Sequence, residues 1–309
     1  MIVTVTPNPA LDKTAELDTL LPGGLNRLQN ITVDAGGKGI NVSKIIAALG
    51  GQSLATGFTG GAAGQQLLGQ LTQMGLQHDF VQAEGSVRTN LKLLEASGAV
   101  TELNEPGLAA DAPLLDALLQ KLLGLAAPDA LFVLSGSLPQ KAGAETYCNF
   151  TKQLRAAGAK VFVDADGESF RQALLAPPNY IKPNREELLA HFNVQGKADI
   201  ALLRSLCQKL LDTGVELVAL SMGADGALFV TQQMAVRAQG LKVQAHSTVG
   251  AGDSMVGALA LALQQKMPLE EAFSLAVAAS AGAVTTIGTN PPTLALVQQL
   301  QQQVVLEHL

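Results

Sequence analysis

Short apolar and β-branched runs alternate with longer stretches of helical period over most of the chain, and no other feature restricts the fold as much. Ile2 to Val5, Leu54 to Gly57, Leu131 to Leu134, Lys160 to Val163 and Glu216 to Leu220 have the length and side chains of buried strands. Ile40 to Leu49, Gln65 to Met74, Pro113 to Leu123, Ala144 to Ala156 and Ile200 to Leu211 have helical spacing. Pro113 suits a first helical turn, where a missing amide donor is not needed, and Gly124 suits the position just past the end. Strands that take turns with helices are joined by crossovers, so they pair in parallel and are covered on both faces. The expectation is an α/β chain with a three-layer α/β/α core on a mostly parallel sheet. With 309 residues, 48% apolar and 15% charged, the chain can bury such a core.

Two segments break the rhythm. Residues 12–34 contain alternating stretches at Lys13 to Leu17 and Gln29 to Val33, with Gly24 between them. Residues 86–105 contain Arg88 to Leu94 and Ala99 to Leu103, with Ser97-Gly98 as the turn. Each reads as a hairpin inserted into a core made of 1–11, 35–85 and 106–309. Together they predict a small β-sheet that can act as a lid or as a homodimer surface. After a β-rich stretch from Ala227 to Ala245 the chain turns helical, over Ala251 to Gln264, Leu269 to Thr286 and Thr293 to Val304. Leu306 to Leu309 are expected to fray.

Composition removes several classes of function. Twenty Lys and Arg against 26 Asp and Glu give a net charge of −6, which argues against a nucleic-acid partner. Apolar runs such as Ala258 to Leu263 fall far short of the roughly 20 residues of a membrane-spanning helix. The first residues enter a strand with no basic segment, long apolar segment or small-residue cleavage site, so the expected location is the cytoplasm. Cys148 and Cys207 form no CxxC pair, and His78, His191, His246 and His308 match no zinc spacing, which excludes a disulfide framework and a structural zinc.

Three polar clusters carry chemistry. In Ser247-Thr248-Val249-Gly250-Ala251-Gly252-Asp253, two glycines let the backbone approach a ligand at the start of a helix, leaving the amides of Ala251, Gly252 and Asp253 as an anion hole. Asp253, at the same helix end, could take the proton of an acceptor hydroxyl during phosphoryl transfer; the plain alternative is a first-turn carboxylate favoured by the helix dipole. Gly36-Gly37-Lys38-Gly39-Ile40-Asn41 again opens a helix, now with a cation and an amide. It satisfies neither GxxxxGK[ST] nor GxGxxG, so it is neither a Walker A loop nor a dinucleotide fingerprint, and a nicotinamide oxidoreductase lacks its signature here. Thr6-Pro7-Asn8-Pro9-Ala10-Leu11-Asp12 follows the first strand, at the carboxyl edge where α/β proteins bind ligands.

Taken with Ser135-Gly136-Ser137-Leu138-Pro139, these clusters resemble the ribokinase-like carbohydrate kinase family, and within it the phosphosugar branch. The resemblance spans essentially the whole chain and implies the ribokinase-like fold with a β lid. It implies that Asp253 is the catalytic base and that the backbone of Gly250, Ala251 and Gly252 stabilises the transferred phosphoryl group. Asp12, Gly37, Lys38 and Asn41 match the acceptor-sugar site. Arg88 matches the lid cation for the phosphate already on the sugar, with Asn90 beside it, Arg27 as a second cation and Ser137 as a further contact. In Lys182-Pro183-Asn184-Arg185-Glu186-Glu187, the resemblance puts Lys182 and Asn184 near the nucleotide and gives Asn184 and Glu187 the organisation of Mg²⁺ through water. Asn184 and Glu187 also have the spacing of a capping box. Ser221, Gly223 and Gly226 match the nucleotide loop, and Asp164 matches a strand end of unspecified role.

The implied activity is ATP-dependent, Mg²⁺-requiring phosphorylation of a ketohexose monophosphate. The neighbourhood Gly37 to Ser43 favours conversion of D-fructose 1-phosphate to the 1,6-bisphosphate, with tagatose 6-phosphate and fructose 6-phosphate as alternative acceptors. A sugar-phosphate sensor that kept the fold without turnover is the rival from another class.

Overall fold

The computed structural model describes all 309 residues, Met1 to Leu309. In chain order the first eight strands are β1 (Ile2–Thr6), β2 (Ala10–Leu17), β3 (Gln29–Gly36), β4 (Leu54–Thr59), β5 (Gln77–His78), β6 (Val81–Gln82), β7 (Arg88–Glu95) and β8 (Val100–Asn104). They are followed by β9 (Leu131–Ser135), β10 (Lys160–Asp164), β11 (Tyr180–Ile181), β12 (Leu217–Ser221), β13 (Ala227–Thr231), β14 (Ala235–Ala238) and β15 (Leu306–His308). The helices are α1 (Lys38–Ala48), α2 (Gly61–Gln73), α3 (Ala112–Gly124), α4 (Thr146–Ala156), α5 (Gly167–Ala173), α6 (Arg185–His191), α7 (Ile200–Leu211), α8 (Ala251–Gln264), α9 (Leu269–Ala283) and α10 (Leu294–Gln301).

The central sheet has the order β15-β14-β13-β12-β11-β10-β9-β1-β4-β5, with β6 also pairing β4. From β12 to β5 every pairing is parallel, and β13, β14 and β15 close that side antiparallel. Alternate residues along a strand face opposite sides, and here both sides are apolar. Phe132 and Leu134 of β9 and Val161 and Val163 of β10 join one core with Leu118 of α3, Tyr147 of α4 and Leu206 of α7. Leu131 and Val133 of β9 and Phe162 of β10 join a second core with Ile46 of α1, Leu259 of α8 and Phe273 of α9. The two cores make the three layers.

Both inserted segments form hairpins. β2 pairs antiparallel with β3 and β7 antiparallel with β8, and the two are stitched into one four-stranded sheet by parallel pairing of β2 with β7. Ala15, Leu17 and Leu93 form its own small core.

Five expectations are corrected. Gly124 is the last residue of α3, and the cap is Leu125. Helix α9 ends at Ala283 and α10 at Gln301. The β-rich stretch ends at Ala238, because the chain must turn back across the carboxyl edge before α8, and no strand covers 239–245. The last residues do not fray: β15 pairs antiparallel with β14, satisfying what would otherwise be an open sheet edge, and His308 Nε2 lies 3.0 Å from Glu270.

Gly57 shows how tightly the carboxyl edge is built. It has φ +148°, and a Cβ there would strike the Thr6 carbonyl of the neighbouring strand. Gly57→Ala is therefore expected to lose about 2 kcal/mol or more of stability. Thermal unfolding reads this as a clear drop in Tm, and an unchanged Tm would contradict it.

Candidate functional site

The chain leaves β1 toward β4 on one side and later returns to β9 on the other, so β1 and β9 flank a topological switch point. Ligands of open α/β sheets bind at the carboxyl ends of such strands. Thr6, Ser135 and Asp164 lie at those ends, and the turns that follow carry Asn8 and Ser137. Gly37, at the start of α1, closes on this edge, where its Cβ would lie 2.6 Å from Thr6 Cγ2 and 3.2 Å from Pro9 Cα.

The lid completes one end of the crevice. The parallel register of β2 and β7 sets Asp12 opposite Asn90, and Asn90 Nδ2 donates to Asp12 Oδ1 at 3.0 Å. Arg88 Nη2 donates to the Asn8 carbonyl at 3.2 Å and to Ser137 Oγ at 3.3 Å, which joins lid to core. Arg27 is not brought into this group. It lies exposed in the loop between β2 and β3, with no hydrogen bond or ion pair to any of these residues.

At the centre, Gly250 caps α8 in the left-handed conformation, with φ +80°. No backbone carbonyl accepts from the amides of Gly252 or Asp253, whereas Ala251 N reaches the Thr248 carbonyl at 3.4 Å. The Asp253 side chain is buried; Asn41 Nδ2 donates to its Oδ2 at 2.8 Å, and Oδ1 accepts from no protein group. Burial, and then the negative charge of Asp164, pushes the Asp253 carboxyl up to about 6, against the Asn41 hydrogen bond and the charges of Lys38 and Lys182. Asp164 is fully buried between those lysines, its Oδ1 3.6 Å from Lys38 Nζ and 3.3 Å from Lys182 Nζ. Burial alone would raise its carboxyl, but Lys182 and then Lys38 pull it below the usual range. Asp164 in turn is the main reason that Lys38 stays firmly protonated, despite its own burial.

Beyond α8, a cavity of about 310 Å³ is lined by Ser221, Gly223 and Gly226 together with Val243, Thr248 and Gly252. The Ser221 amide donates to the Pro183 carbonyl at 3.0 Å, bridging the strand-end loop to the segment that carries Lys182. A Cβ on Gly252 would lie 3.3 Å from Lys182 Nζ, so this cation sits over the amides that open α8. Asn184 and Glu187 form a reciprocal capping box: Asn184 Oδ1 accepts from the Glu187 amide and Glu187 Oε2 from the Asn184 amide, both at 2.8 Å. That leaves Glu187 Oε1 free of protein hydrogen bonds. The same cavity is walled by Leu241, Ala245, Val277, Ser280 and Val284, which sequence reasoning missed. Their apolar, irregular loop and helix face carry no polar motif to mark them.

Several polar atoms of the crevice are buried without any partner: Thr6 Oγ1, Asn8 Oδ1, Asn41 Oδ1, Asn90 Oδ1, Ser135 Oγ and Arg88 Nε. Each such group costs about 1–3 kcal/mol unless a ligand or water satisfies it; the three amide oxygens call for hydroxyl donors, and Arg88 Nε can donate to an anion.

The fold, the anion hole and the buried carboxylate define a phosphotransferase that acts on an alcohol group. The chain belongs to the pfkB family of carbohydrate kinases, which it matches over residues 7–295. It is 36% identical over 304 residues to the 1-phosphofructokinase of Vibrio cholerae, covering 98% of this chain and 95% of that one. The 1-phosphofructokinase of Bacillus subtilis is 34% identical over the full length of both. Among solved structures, phosphofructokinase-2 from Escherichia coli in complex with potassium superposes with a TM-score of 0.93 at 32% identity, covering 98% of each chain. Ribokinase from Thermotoga maritima, at 21% identity and a TM-score of 0.78 over 98% of this chain and 99% of that one, shares the fold.

Proposed function

We propose that the protein transfers the γ-phosphoryl group of ATP to the 6-hydroxyl of D-fructose 1-phosphate, giving fructose 1,6-bisphosphate and ADP. The observation that carries this reading is Asp253: a buried carboxylate with one oxygen tied to Asn41 and the other free, at a helix end where the Gly252 and Asp253 amides have no backbone acceptor. The relatives named 1-phosphofructokinase support the choice of acceptor.

In this reading the sugar lies under the lid, its hydroxyls on Asp12, Asn41 and the Gly37 backbone, and its existing phosphate on Arg88, Ser137 and Asn90. Lys38 adds positive charge where the two anionic substrates meet, which a protein of net charge −6 can supply only locally. Asp253 Oδ1 accepts the proton of the 6-hydroxyl as its oxygen forms a bond to the γ-phosphorus. The bond from that phosphorus to the β-γ bridging oxygen breaks, and ADP leaves. The backbone of Gly250, Ala251 and Gly252, with Lys182 above it, holds the equatorial oxygens of the transferring group. ATP occupies the cavity beside Ser221, Gly223 and Gly226, with Asn184 nearby.

Bound with ATP, Mg²⁺ would supply positive charge to neutralise the phosphates. No cluster of three or more acidic, His or Cys side chains forms a cage for it, but Mg²⁺ commonly keeps its waters and uses one or two carboxylates. Glu187 Oε1, free of protein hydrogen bonds, fits that role, with Asn184 holding the loop by its cap.

Leu25, Ile31, Val100 and Leu103 expose between 50% and 72% of their surface on the lid loop and its two edge strands. Apolar side chains exposed along both edges of the lid sheet support a homodimer through the lid. No helix is long and apolar enough to cross a membrane, and dependence on ATP and a sugar phosphate supports a cytoplasmic setting.

Because the base must be ionised, and burial raises Asp253 to about 6, kcat/KM is expected to rise with pH through about 6 and level off above it. A rate that is flat between pH 5 and 7 would contradict the assignment. The reaction itself is tested by ³¹P NMR of a mixture with ATP and fructose 1-phosphate. Formation of the 1,6-bisphosphate with ADP supports the reading, and ATP left intact contradicts it.

A further inference from the structure

Tyr147 lies on α4, outside every segment assigned to substrate, and its side chain is completely buried. Its hydroxyl is nevertheless not idle: it donates to the Gly136 carbonyl at 2.9 Å. A phenyl ring would fill the same space, so the hydroxyl serves that carbonyl rather than the packing. Gly136 follows directly on β9 at the switch point, with φ +95°, and its own amide donates to the Asp164 carbonyl at 3.0 Å. The residue is thus held at both ends in a conformation that few side chains allow.

A trans peptide unit is planar, with its C=O and N–H pointing in opposite directions. Drawing the Gly136 carbonyl into the core toward Tyr147 therefore aims the Ser137 amide the other way. That amide donates to no group of the protein. Ser137 Oγ, on the next atoms of the chain, is where Arg88 Nη2 and Asn8 Nδ2 converge, at 3.3 and 3.5 Å. Without the tyrosine hydroxyl, the glycine lets this peptide unit turn over. A carbonyl oxygen would then face the anion in place of the N–H.

We infer that Tyr147 is a positioning residue for the sugar-phosphate end of the site, holding the Gly136-Ser137 peptide so that the Ser137 N–H joins Arg88 on the phosphate of the acceptor. The inference rests on the functional reading above and adds a residue to it. It concerns one substrate only, since the nucleotide segments make no hydrogen bond with Tyr147.

The test is Tyr147→Phe, compared with wild type by calorimetric titration with fructose 1-phosphate, tagatose 6-phosphate, fructose 6-phosphate and, separately, ATP. The variant is expected to bind the phosphosugar preferred by wild type about tenfold more weakly, with ATP affinity within about twofold. The steady-state KM values should split the same way, with kcat changed far less. Thr151→Val, which removes from the same helix a buried hydroxyl that, unlike that of Tyr147, has no partner, is expected to leave both affinities unchanged. Unaltered ATP affinity also reports that the variant is folded. Equal weakening of both ligands, weakening of neither, or the same split in Thr151→Val would overturn the inference. The preference of the wild-type protein decides the functional reading, and the variant-to-wild-type ratio decides the role of Tyr147, so the two fail separately.

Discussion

Asp253→Asn is expected to lower kcat by about 10²- to 10⁴-fold while changing the affinities for sugar phosphate and ATP by no more than a few-fold. The amide keeps the shape of the carboxylate but cannot take the proton of the attacking hydroxyl. The anion hole of α8 and the lysines around Asp164 are untouched, so binding persists. Stability should move in the opposite direction from activity. Burial raises this carboxyl from its ordinary value of 3.8 to about 6, so the group favours the fold only while protonated. That contribution is present at low pH and is lost as the pH rises through about 6, above which the folded protein carries a buried charge. At pH 8 the neutral asparagine is therefore expected to unfold at the same temperature as wild type or higher. Turnover that survives the substitution would remove Asp253 as base. Turnover lost together with a lowered Tm would point to a structural role instead.

Arg88→Ala is expected to raise KM for the phosphosugar by about 10- to 100-fold, because a charge-assisted hydrogen bond to a phosphate is worth about 1.5–3 kcal/mol. The KM for ATP should stay within about twofold, since the side-chain hydrogen bonds of Arg88 go only to the Asn8 and Glu105 carbonyls and Ser137 Oγ, all at the lid end of the crevice. Unphosphorylated fructose separates the charge effect from general damage to the lid. Its weak binding should be nearly the same in variant and wild type. Equal changes in KM for both substrates would place Arg88 in the architecture of the lid rather than on the phosphate.

Local pattern made the main sheet and both hairpins legible, because a buried strand such as Leu131–Ser135 and an alternating one such as Arg88–Glu95 differ in how many faces they hide. The parallel pairing of β2 with β7 was not legible. It joins segments some 78 residues apart, as Asp12 and Asn90 are, and nothing within either hairpin encodes it. The pairing matters, since it brings Asp12, Arg88 and Asn90 to one edge. Tyr180–Ile181 is too short a strand to show a period, and β15 forms only because β14 offers it an edge. The Asn184 and Glu187 pair carried two meanings in the sequence. The cap is formed, and one carboxylate oxygen is left over for a second use. Arg27 lies on an exposed loop with no partner in its own chain, so its place in the sequence does not by itself position it. Tyr147 shows the converse: a core residue by every sequence criterion, whose single polar atom reaches a site loop.

The central claim is tested most directly by ADP release with MgATP against fructose 1-phosphate, tagatose 6-phosphate, fructose 6-phosphate and unphosphorylated fructose, compared as kcat/KM in one buffer. The account predicts that fructose 1-phosphate leads the other three by about tenfold or more, as expected when a built phosphate site is filled by one isomer and left unpaired by the rest. A higher value for either 6-phosphate would contradict the assigned acceptor, and no turnover of any of the four would contradict the enzyme itself.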